Sequence, residues 1–332
     1  MEPSSSHLLC RQINEIKKIQ NSKLNFSVLQ WNVLARCYTG PNHFPTVKSE
    51  FLDFNHRKDF IAQEIKSYNA DVICLQEVDV RDLEFFKCLY LESEYSLSFI
   101  KKPHSKDGIC VMMRKEKFQV LDTELMVHTK EDGVQKENLV SQVVLARHND
   151  AYVVVASCHL KAATSTNCCT ETRLRQVRQI MEVVEKMRNY CINELKTKEN
   201  NVISVICGDF NEGPDSPPVN EFLKNQEIGF KGAFNDEPYT LFQKYGSRDY
   251  VIKFAADHVL YSKSLVMTKK IGSPMEGLVE ENGLVSENFP SDHLSLFAEF
   301  SLLESQETFK TWRSFIQYYP LSHLLSLKQL IK

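Results

Sequence analysis

The chain has 332 residues, of which 42% are hydrophobic and 25% are charged, with 11 glycines and 11 prolines. This composition is typical of a globular protein with a sizeable core and excludes disordered and fibrous chains. Forty basic residues stand against 43 acidic ones, for a net charge of -3. The chain as a whole therefore lacks the basic character that attracts nucleic acid or anionic membranes, and an anionic substrate would have to be held by local groups.

The ends of the chain and its cysteines indicate where the protein works. Residues 1–25 are polar and lack the apolar segment of a secretory signal, so we predict a flexible leader there. No run of about 18 apolar residues occurs, which predicts no membrane insertion. The ten cysteines include no CxxC pair, which favours reduced thiols. We expect a cytoplasmic protein, with a mitochondrial presequence in the leader as the alternative.

Short apolar runs rich in Val, Ile, Leu and Phe follow one another along the chain and have the length of strands. They cover residues 26–33, 71–78, 108–113, 152–160, 201–207, 257–261 and 293–302. Apolar faces at helical spacing predict helices over residues 57–69 and 171–196. Buried strands that alternate with amphipathic helices predict sheets covered by helices, and strands that follow each other directly predict antiparallel segments.

The domain organisation follows from the same pattern. No linker rich in Pro, Gly or Ser divides residues 26–302, so we predict one mixed α/β domain there. Residues 303–332 form a C-terminal extension with several aromatic and leucine side chains. We expect this extension to dock on the core or on a protein partner.

Polar side chains interrupt the apolar runs at or just beyond their ends, where a buried strand has no use for them. They are Asn32, Glu77, His159, Asp209, Asn211, Asp257, Asp292 and His293. A single Asn or Asp at a strand end is more often a turn or cap residue. A Glu that ends a buried strand must instead be paired, hydrated or bound to metal, and the recurrence of such residues at six elements favours a shared site.

The donor types in this set favour one kind of metal. Oxygen-rich side chains with few nitrogens suit Mg²⁺ or Mn²⁺, whereas zinc sites use close His or Cys pairs that this sequence lacks. Mg²⁺ keeps water and substrate phosphate among its ligands, so one or two carboxylates suffice. The sequence therefore predicts hydrolysis of a phosphate ester, in which an Asp serves the nucleophile and imidazole or amide groups stabilise developing charge.

The motifs that contain these residues resemble, in order, those of the endonuclease/exonuclease/phosphatase superfamily over about residues 26–302. They are Trp31-Asn32, Leu75-Gln76-Glu77, Asp107-Gly108, Ser157-Cys158-His159-Leu160, Gly208-Asp209-Phe210-Asn211, Asp257 and Ser291-Asp292-His293. The flanking residues are most similar to the CCR4-type deadenylases and, within them, to enzymes of the nocturnin type. The resemblance implies a four-layer αββα sandwich of two packed mixed β-sheets flanked by helices.

The resemblance also implies roles for the carboxylates and amides. Glu77 is expected to be a principal Mg²⁺ ligand, with Asn32 beside it. Asp209 and Asn211 are expected near a second metal position or the nucleophile. One-metal and two-metal mechanisms both remain open.

Further roles follow from the same resemblance. His159 is expected to donate to the transition state, and His293, oriented by Asp257, to act as the base or as a phosphate partner. Asp292 supports that histidine or the metal. The lysines at the positions where the family binds phosphate are Lys102, Lys161 and Lys244.

Two substrates are associated with enzymes of this type: the 2′-phosphate of NADP(H), removed to leave NAD(H), and the 3′ poly(A) tail of mRNA. A basic groove with interleaved aromatic residues, as long single strands require, is not evident in the sequence, so the smaller nucleotide is favoured. The lesser alternative is a binding module that kept the fold and lost turnover. The presence of the whole set of polar residues argues against it.

Overall fold

The computed structural model of the protein describes residues 11–16, 24–89, 94–163, 169–245, 250–274, 279 and 283–302. The predicted C-terminal extension, and with it the expected contact to a partner, lies outside the described residues. The helices of the described part are α1 (Ser49–Leu52), α2 (Phe54–Tyr68), α3 (Leu83–Leu89), α4 (Thr170–Asn193) and α5 (Pro217–Leu223). The strands are β1 (Arg11–Glu15), β2 (Asn25–Asn32), β3 (Val72–Asp79), β4 (Tyr95–Lys101), β5 (Asp107–Arg114), β6 (Gln119–Thr129), β7 (Lys136–His148), β8 (Ala151–His159), β9 (Val202–Asp209), β10 (Lys231–Gly232), β11 (Leu241–Tyr245), β12 (Tyr250–Phe254), β13 (Asp257–Tyr261), β14 (Leu265–Pro274) and β15 (Leu296–Leu302).

Two large mixed sheets form the centre of the molecule. The first has the strand order β1-β14-β15-β2-β3-β5-β4 and the second the order β10-β13-β9-β8-β7-β6. In the first sheet β2 and β3 are parallel, and in the second β8 and β9 are parallel, whereas the other neighbouring strands are antiparallel. Strands β11 and β12 form a separate hairpin. The predicted sandwich of two mixed sheets with flanking helices is confirmed.

The core consists of three apolar layers, because successive residues of a strand point to opposite faces of its sheet. Val28 of β2 and Val205 of β9 pack between the two sheets. The next residue of each strand faces outward: Leu29 packs in the layer that contains α2, and Ile206 in the layer that contains α4. These strands are buried on both faces, which explains why their sequences are almost continuously hydrophobic.

The two parallel pairs place the polar strand ends at one edge. Helix α2 connects β2 to β3, and α4 connects β8 to β9, as parallel neighbours require. Asn32 is therefore level with Gln76, and His159 with Asp209. The site predicted from the strand ends thus lies where the carboxyl ends of the parallel strands of both sheets meet.

The predicted helices occur with small shifts at their ends. Helix α2 begins at Phe54, three residues before the prediction, because the Asp53 side chain caps it by accepting a hydrogen bond from the Asn55 backbone. It ends at Tyr68, and the next residue, Asn69, has left-handed backbone that terminates the helix. In the described part of the chain, no helix combines the length and apolarity needed to cross a bilayer.

Residues 11–15 differ from the flexible leader that we expected over residues 1–25. They form the edge strand β1, which pairs with β14. The Arg11 guanidinium is buried, lies 2.8 Å from a carboxylate oxygen of Glu64 and donates to the carbonyl of Gly272. Hydroxyl groups of Tyr68 and Ser295 also donate to Glu64. The sequence RQINE contains no apolar run, so the burial of one arginine against a distant glutamate was not visible in it.

This buried ion pair predicts a large stability effect. The substitution Arg11→Met leaves the Glu64 carboxylate buried without its cation, so we expect it to lower the free energy of unfolding by about 3 kcal/mol. The matched control is Arg178→Met, which removes an equally short pair with Glu221 from the surface and should cost less than about 1 kcal/mol. Urea denaturation of both variants measures the difference. Equal losses would show that β1 is not anchored through Arg11.

Candidate active site

The backbone is strained where the strand ends meet. Leu34, Glu77 and Asn211 all have left-handed backbone, with φ of 59°, 58° and 53°. This conformation is disfavoured for residues other than glycine and tends to persist only where surrounding structure enforces it. Glu77 also lies where the register between β3 and β5 shifts. Such a bulge redirects a side chain, and here the Glu77 carboxylate lines a cavity instead of the core.

Asn32 joins the carboxylates of the two sheets. Its amide nitrogen lies 3.1 Å from an oxygen of Glu77 and 3.1 Å from Asp209 Oδ2. The other oxygen of Glu77 accepts a hydrogen bond from the Ala35 backbone, and the Asn32 amide oxygen accepts one from the Leu34 backbone. Asn32 therefore holds the two carboxylates near each other by donating to both.

His293 forms a buried pair with Asp257. The ring nitrogen Nδ1 lies 2.8 Å from Asp257 Oδ2, and the opposite nitrogen, Nε2, lies 3.7 Å from Asp209 Oδ2. The Asp257 carboxylate also accepts hydrogen bonds from the Thr240 hydroxyl at 2.7 Å and from the Gln30 amide at 3.2 Å. Asp257 is thus fully engaged in orienting the imidazole.

Hydrogen bonds with residues of β2 and α2 hold the loop before β15 in place. The Trp31 indole donates to the carbonyl of His293 at 2.7 Å, and the Ser291 hydroxyl donates to the carbonyl of Asn32 at 2.7 Å. The buried guanidinium of Arg57 donates to the carbonyl of Pro290. Strand β15 begins at Leu296 rather than at residue 293, because the backbone of residues 292–294 bonds to residues 240–242, with Phe242 donating to the carbonyl of Asp292 and Leu294 to that of Thr240.

Helix α4 holds the loops that follow β8 and β9. Its buried Arg173 donates to the carbonyl of Lys161 and to the carboxylate of Glu212. Gln176 accepts a hydrogen bond from the Lys161 backbone at 3.1 Å. The Asn211 amide donates to the carbonyl of Leu160, which joins the two loops directly. Its contact with Leu160, together with a backbone hydrogen bond to Asp209, holds Asn211 close to His159 and Asp209.

The surroundings raise the pKa of two carboxylates of the site, Glu77 and Asp292. Burial raises the pKa of Glu77 from its ordinary 4.5 to about 7, with Lys102 and the Ala35 amide opposing the shift. Burial also raises the pKa of Asp292, against the nearby charge of His293. A cation bound beside these carboxylates would lower both pKa values again, because it favours the ionised form.

The two histidines are shifted in opposite directions. Burial, together with the positive charge of Lys102, lowers the pKa of His159 to about 3. Burial would also lower the pKa of His293, but the carboxylates of Asp257 and Asp209 outweigh it and raise that pKa well above its ordinary value. At neutral pH the site thus offers one neutral and one protonated imidazole.

The donor set fits a hard divalent cation. Glu77 and Asp209 present carboxylate oxygens to the same space, and the buried Asp292 Oδ1 has no hydrogen-bond partner among the described residues. Asp209, Asp257 and His293 bring ligand atoms within 4.8 Å of one another. Since the Asp257 oxygens already accept three hydrogen bonds, the side chains free to hold a cation are those of Glu77 and Asp209.

The cluster opens into a cavity of about 780 Å³. One wall is apolar and comes from the β11–β12 hairpin, with Leu241, Ile252 and Phe254. The cavity also has four lysines in its lining, Lys102, Lys130, Lys136 and Lys161. A second cavity of about 810 Å³ lies elsewhere, at the far ends of β2 and β15, and has none of the predicted site residues in its lining.

Most of the residues predicted from the sequence lie together. Those that line the cavity or contact its polar groups are Asn32, Glu77, Lys102, His159, Lys161, Asp209, Asn211, Asp257, Asp292 and His293. Lys244 is the exception, because Leu241 and Gln243 of β11 line the cavity and strand alternation turns Lys244 to the other face.

Three residues with clear positioning contacts were not predicted: Gln30, Thr240 and Arg173. Gln30 did leave a signal, since it is a polar residue between Leu29 and Trp31 inside an apolar run. Arg173 appeared only as one charge on the polar face of an amphipathic helix, although its side chain is buried.

Comparison with known sequences identifies relatives of this chain. Nocturnin of Xenopus laevis is 27% identical over 84% of this chain and 73% of its own length, and human nocturnin is 26% identical over 84% and 66%. The exoribonuclease subunit Ccr4 of the CCR4-Not complex of Mycosarcoma maydis is 25% identical over 85% of this chain and 51% of its own length. The chain thus spans only part of the length of these curated relatives.

Two solved structures superpose well on this fold. The catalytic domain of human nocturnin, solved with a bound sulfate anion, superposes with a TM-score of 0.66 at 23% identity over 88% of this chain and 97% of that chain. ANGEL2, a 2′,3′-cyclic phosphatase, superposes with a TM-score of 0.67 at 19% identity over 88% and 98%. At these identities the likeness shows the fold.

The sequence profile of the Endonuclease/Exonuclease/phosphatase family matches residues 29–293, which contain the whole cluster of carboxylates and imidazoles. This match covers well over half of the chain. The chain therefore belongs to the Endonuclease/Exonuclease/phosphatase family, and its site is that of a hydrolase acting on phosphate esters.

Proposed function

We propose that the protein is a Mg²⁺-dependent phosphatase of the nocturnin type that removes the 2′-phosphate of NADP(H) to give NAD(H) and inorganic phosphate. The observation that carries this proposal is the cavity of about 780 Å³ directly above the carboxylates. A volume of this order suits one nucleotide-sized ligand, and the combination of an apolar wall with lysines suits a base and phosphates. The nocturnin relatives support the same assignment.

Glu77 and Asp209 would hold the Mg²⁺, with Asn32 keeping the two carboxylates in place. When bound, Mg²⁺ supplies charge that polarises a phosphoryl oxygen and lowers the pKa of water. Mn²⁺ suits the same oxygen ligands and would replace it. Asp292 adds a further negative charge at the edge of this site.

Water is the nucleophile of the proposed reaction. Asp209 orients it, because its Oδ2 faces the cavity while the Asn211 backbone donates to its Oδ1 at 2.9 Å. Positioning by a carboxylate, and the lowered pKa that bound Mg²⁺ would give to water, lower the barrier for attack on phosphorus. As the water oxygen bonds to phosphorus, the ester P–O bond breaks, and the proton released by the water passes through solvent to the sugar oxygen, which leaves as a hydroxyl.

The two imidazoles stabilise negative charge on the phosphoryl oxygens. His293 is held protonated by Asp257 and faces Asp209 with Nε2, so it offers a charged donor. His159 offers a neutral one from the opposite sheet. Fixed donors of this kind, aimed at developing charge, are among the strongest contributions to catalysis.

The second candidate function is shortening of poly(A) RNA from its 3′ end, and the Ccr4 relatives favour it. Lys130 and Lys136, at the connection between β6 and β7, also line the cavity and would be available to further phosphates of a longer chain of nucleotides. The same catalytic groups would serve both reactions, because each breaks a phosphate ester of an adenosine ribose.

A substrate profile separates these functions. The purified protein is incubated with Mg²⁺ and, in parallel, with NADPH, a 3′-oligoadenylate RNA and adenosine 2′,3′-cyclic phosphate. We expect stoichiometric release of inorganic phosphate from NADPH, with EDTA as the control that abolishes it. Shortening of the RNA without phosphate release from NADPH would replace the phosphatase by the deadenylase, and no turnover of any substrate would favour the binding module.

Glu77→Gln tests the principal metal ligand. We expect kcat to fall by roughly 1,000-fold, since the substitution removes an anionic ligand from the cation that activates the ester. The matched control is Glu221→Gln, which removes a carboxylate from a surface pair with Arg178. Steady-state kinetics at saturating Mg²⁺ measure both variants. Equal kcat values for Glu77→Gln and the wild type would remove Glu77 from the metal site.

The raised pKa of Glu77 predicts how stability depends on pH in EDTA. The folded state binds this proton more tightly than the unfolded chain, so Glu77 costs stability as pH rises from about 4.5 to about 7. Relative to Glu77→Gln, the wild type should lose about 1 to 3 kcal/mol across this window. Urea denaturation at each pH measures this. Adding Mg²⁺ should restore the stability of the wild type but not change that of Glu77→Gln. If the two proteins lost stability equally between pH 4.5 and 7 in EDTA, the prediction would be contradicted.

A further inference from the structure

The chain between β4 and β5 places a lysine directly against an aspartate. The Lys102 backbone donates to the carbonyl of Asp107 at 2.9 Å, and Lys101 pairs with Gly108 across the two strands. A Cβ on Gly108 would lie 2.1 Å from the carbonyl oxygen of Ile100, so only glycine allows this close approach. The short connection thus presents the Lys102 ammonium to the Asp107 carboxylate, at 2.7 Å.

The same ammonium contacts His159. Lys102 Nζ lies 3.2 Å from His159 Nδ1, and both side chains are buried together with Asp107. An ammonium carries three donors and no acceptor. His159 Nδ1 must therefore be the acceptor, which leaves the ring proton on Nε2. That nitrogen faces the cavity, 3.6 Å from Asp209 Oδ2.

We propose that Lys102 is a positioning residue that fixes His159 as the Nε2–H tautomer, with Asp107 holding the lysine in place. His159 then acts as a hydrogen-bond donor to a phosphoryl oxygen. It does not act as a base, because its only unprotonated nitrogen is occupied by the ammonium. The imidazole and the lysine form a fixed chain from Asp107 through Lys102 to the cavity.

This role differs from the phosphate contact that the sequence implied for Lys102. Its charge is compensated at 2.7 Å by a carboxylate that is completely buried, so Lys102 adds little net charge for an anion. Asp107 is itself held by the Tyr38 hydroxyl at 3.1 Å. Lys161 is exposed at the same cavity, and no ion pair compensates it among the described residues, which makes it the better phosphate contact.

The tautomer of the wild-type protein is measured by the ¹⁵N shifts and long-range ¹H–¹⁵N couplings of the histidine rings at neutral pH, in EDTA and in Mg²⁺. His159 is assigned by the signals lost in His159→Gln. We expect a single tautomer, protonated at Nε2 and unprotonated at Nδ1. A proton on Nδ1, or on both nitrogens, would overturn the proposal. The measurement needs no substrate, so its failure is distinct from failure of the proposed function.

The double variant Lys102→Met with Asp107→Asn removes the ammonium without leaving an unpaired buried carboxylate. We expect the His159 signals to move to shifts averaged between the two tautomers. We also expect kcat to fall about 100-fold with little change in KM, on whichever ester the substrate profile identifies. The contrast is Lys161→Met, which should raise KM and leave the tautomer unchanged. An unaltered Nε2–H tautomer in the double variant would contradict the role of Lys102.

Discussion

The site depends on how one β-sheet packs on the other. At one edge of the interface, a network of buried polar side chains sets the relative position of the two sheets. Gln30 and Gln76 of the first sheet bond to each other and reach across to Asp257 and Ser157 of the second. Buried amides are costly unless satisfied, so this network tolerates few relative positions of the two sheets. Because Asp257 is part of this polar network, the same contacts that align the sheets also orient His293.

The alignment of the sheets brings carboxylates together at an energetic cost, because like charges repel each other and burial removes their hydration. Glu77 comes from one sheet and Asp209 from the other, and Asn32 bridges them. The left-handed backbone of Glu77 and Asn211 adds conformational strain, and both residues place their side chains in the candidate site. A cation bound between the carboxylates, as we propose, would offset part of this unfavourable energy and so link metal binding to the stability of the fold.

The sequence predicted most of the strands that are buried on both faces and the polar residues at their ends, because both leave local patterns. It missed β7, whose residues 139–146 are buried, because Ser141 and Gln142 interrupt its apolar run. It also did not predict β6, which carries Asp122 and Glu124 and is largely exposed, or β1, which contains no apolar run. Contacts such as Gln30 with Asp257 join residues 227 positions apart. The tautomer of His159 also depends on such a distant contact, so only the packed sheets determine it.

The central claim is that side chains from both sheets bind one divalent cation. The most direct measurement is a crystal structure of the protein grown with Mn²⁺, with data collected so that the ion is located by its anomalous scattering. We predict an anomalous peak bound by oxygens of Glu77 and Asp209. A fully occupied ion bound elsewhere, or no ion in this cluster at a Mn²⁺ concentration that supports turnover, would contradict the claim.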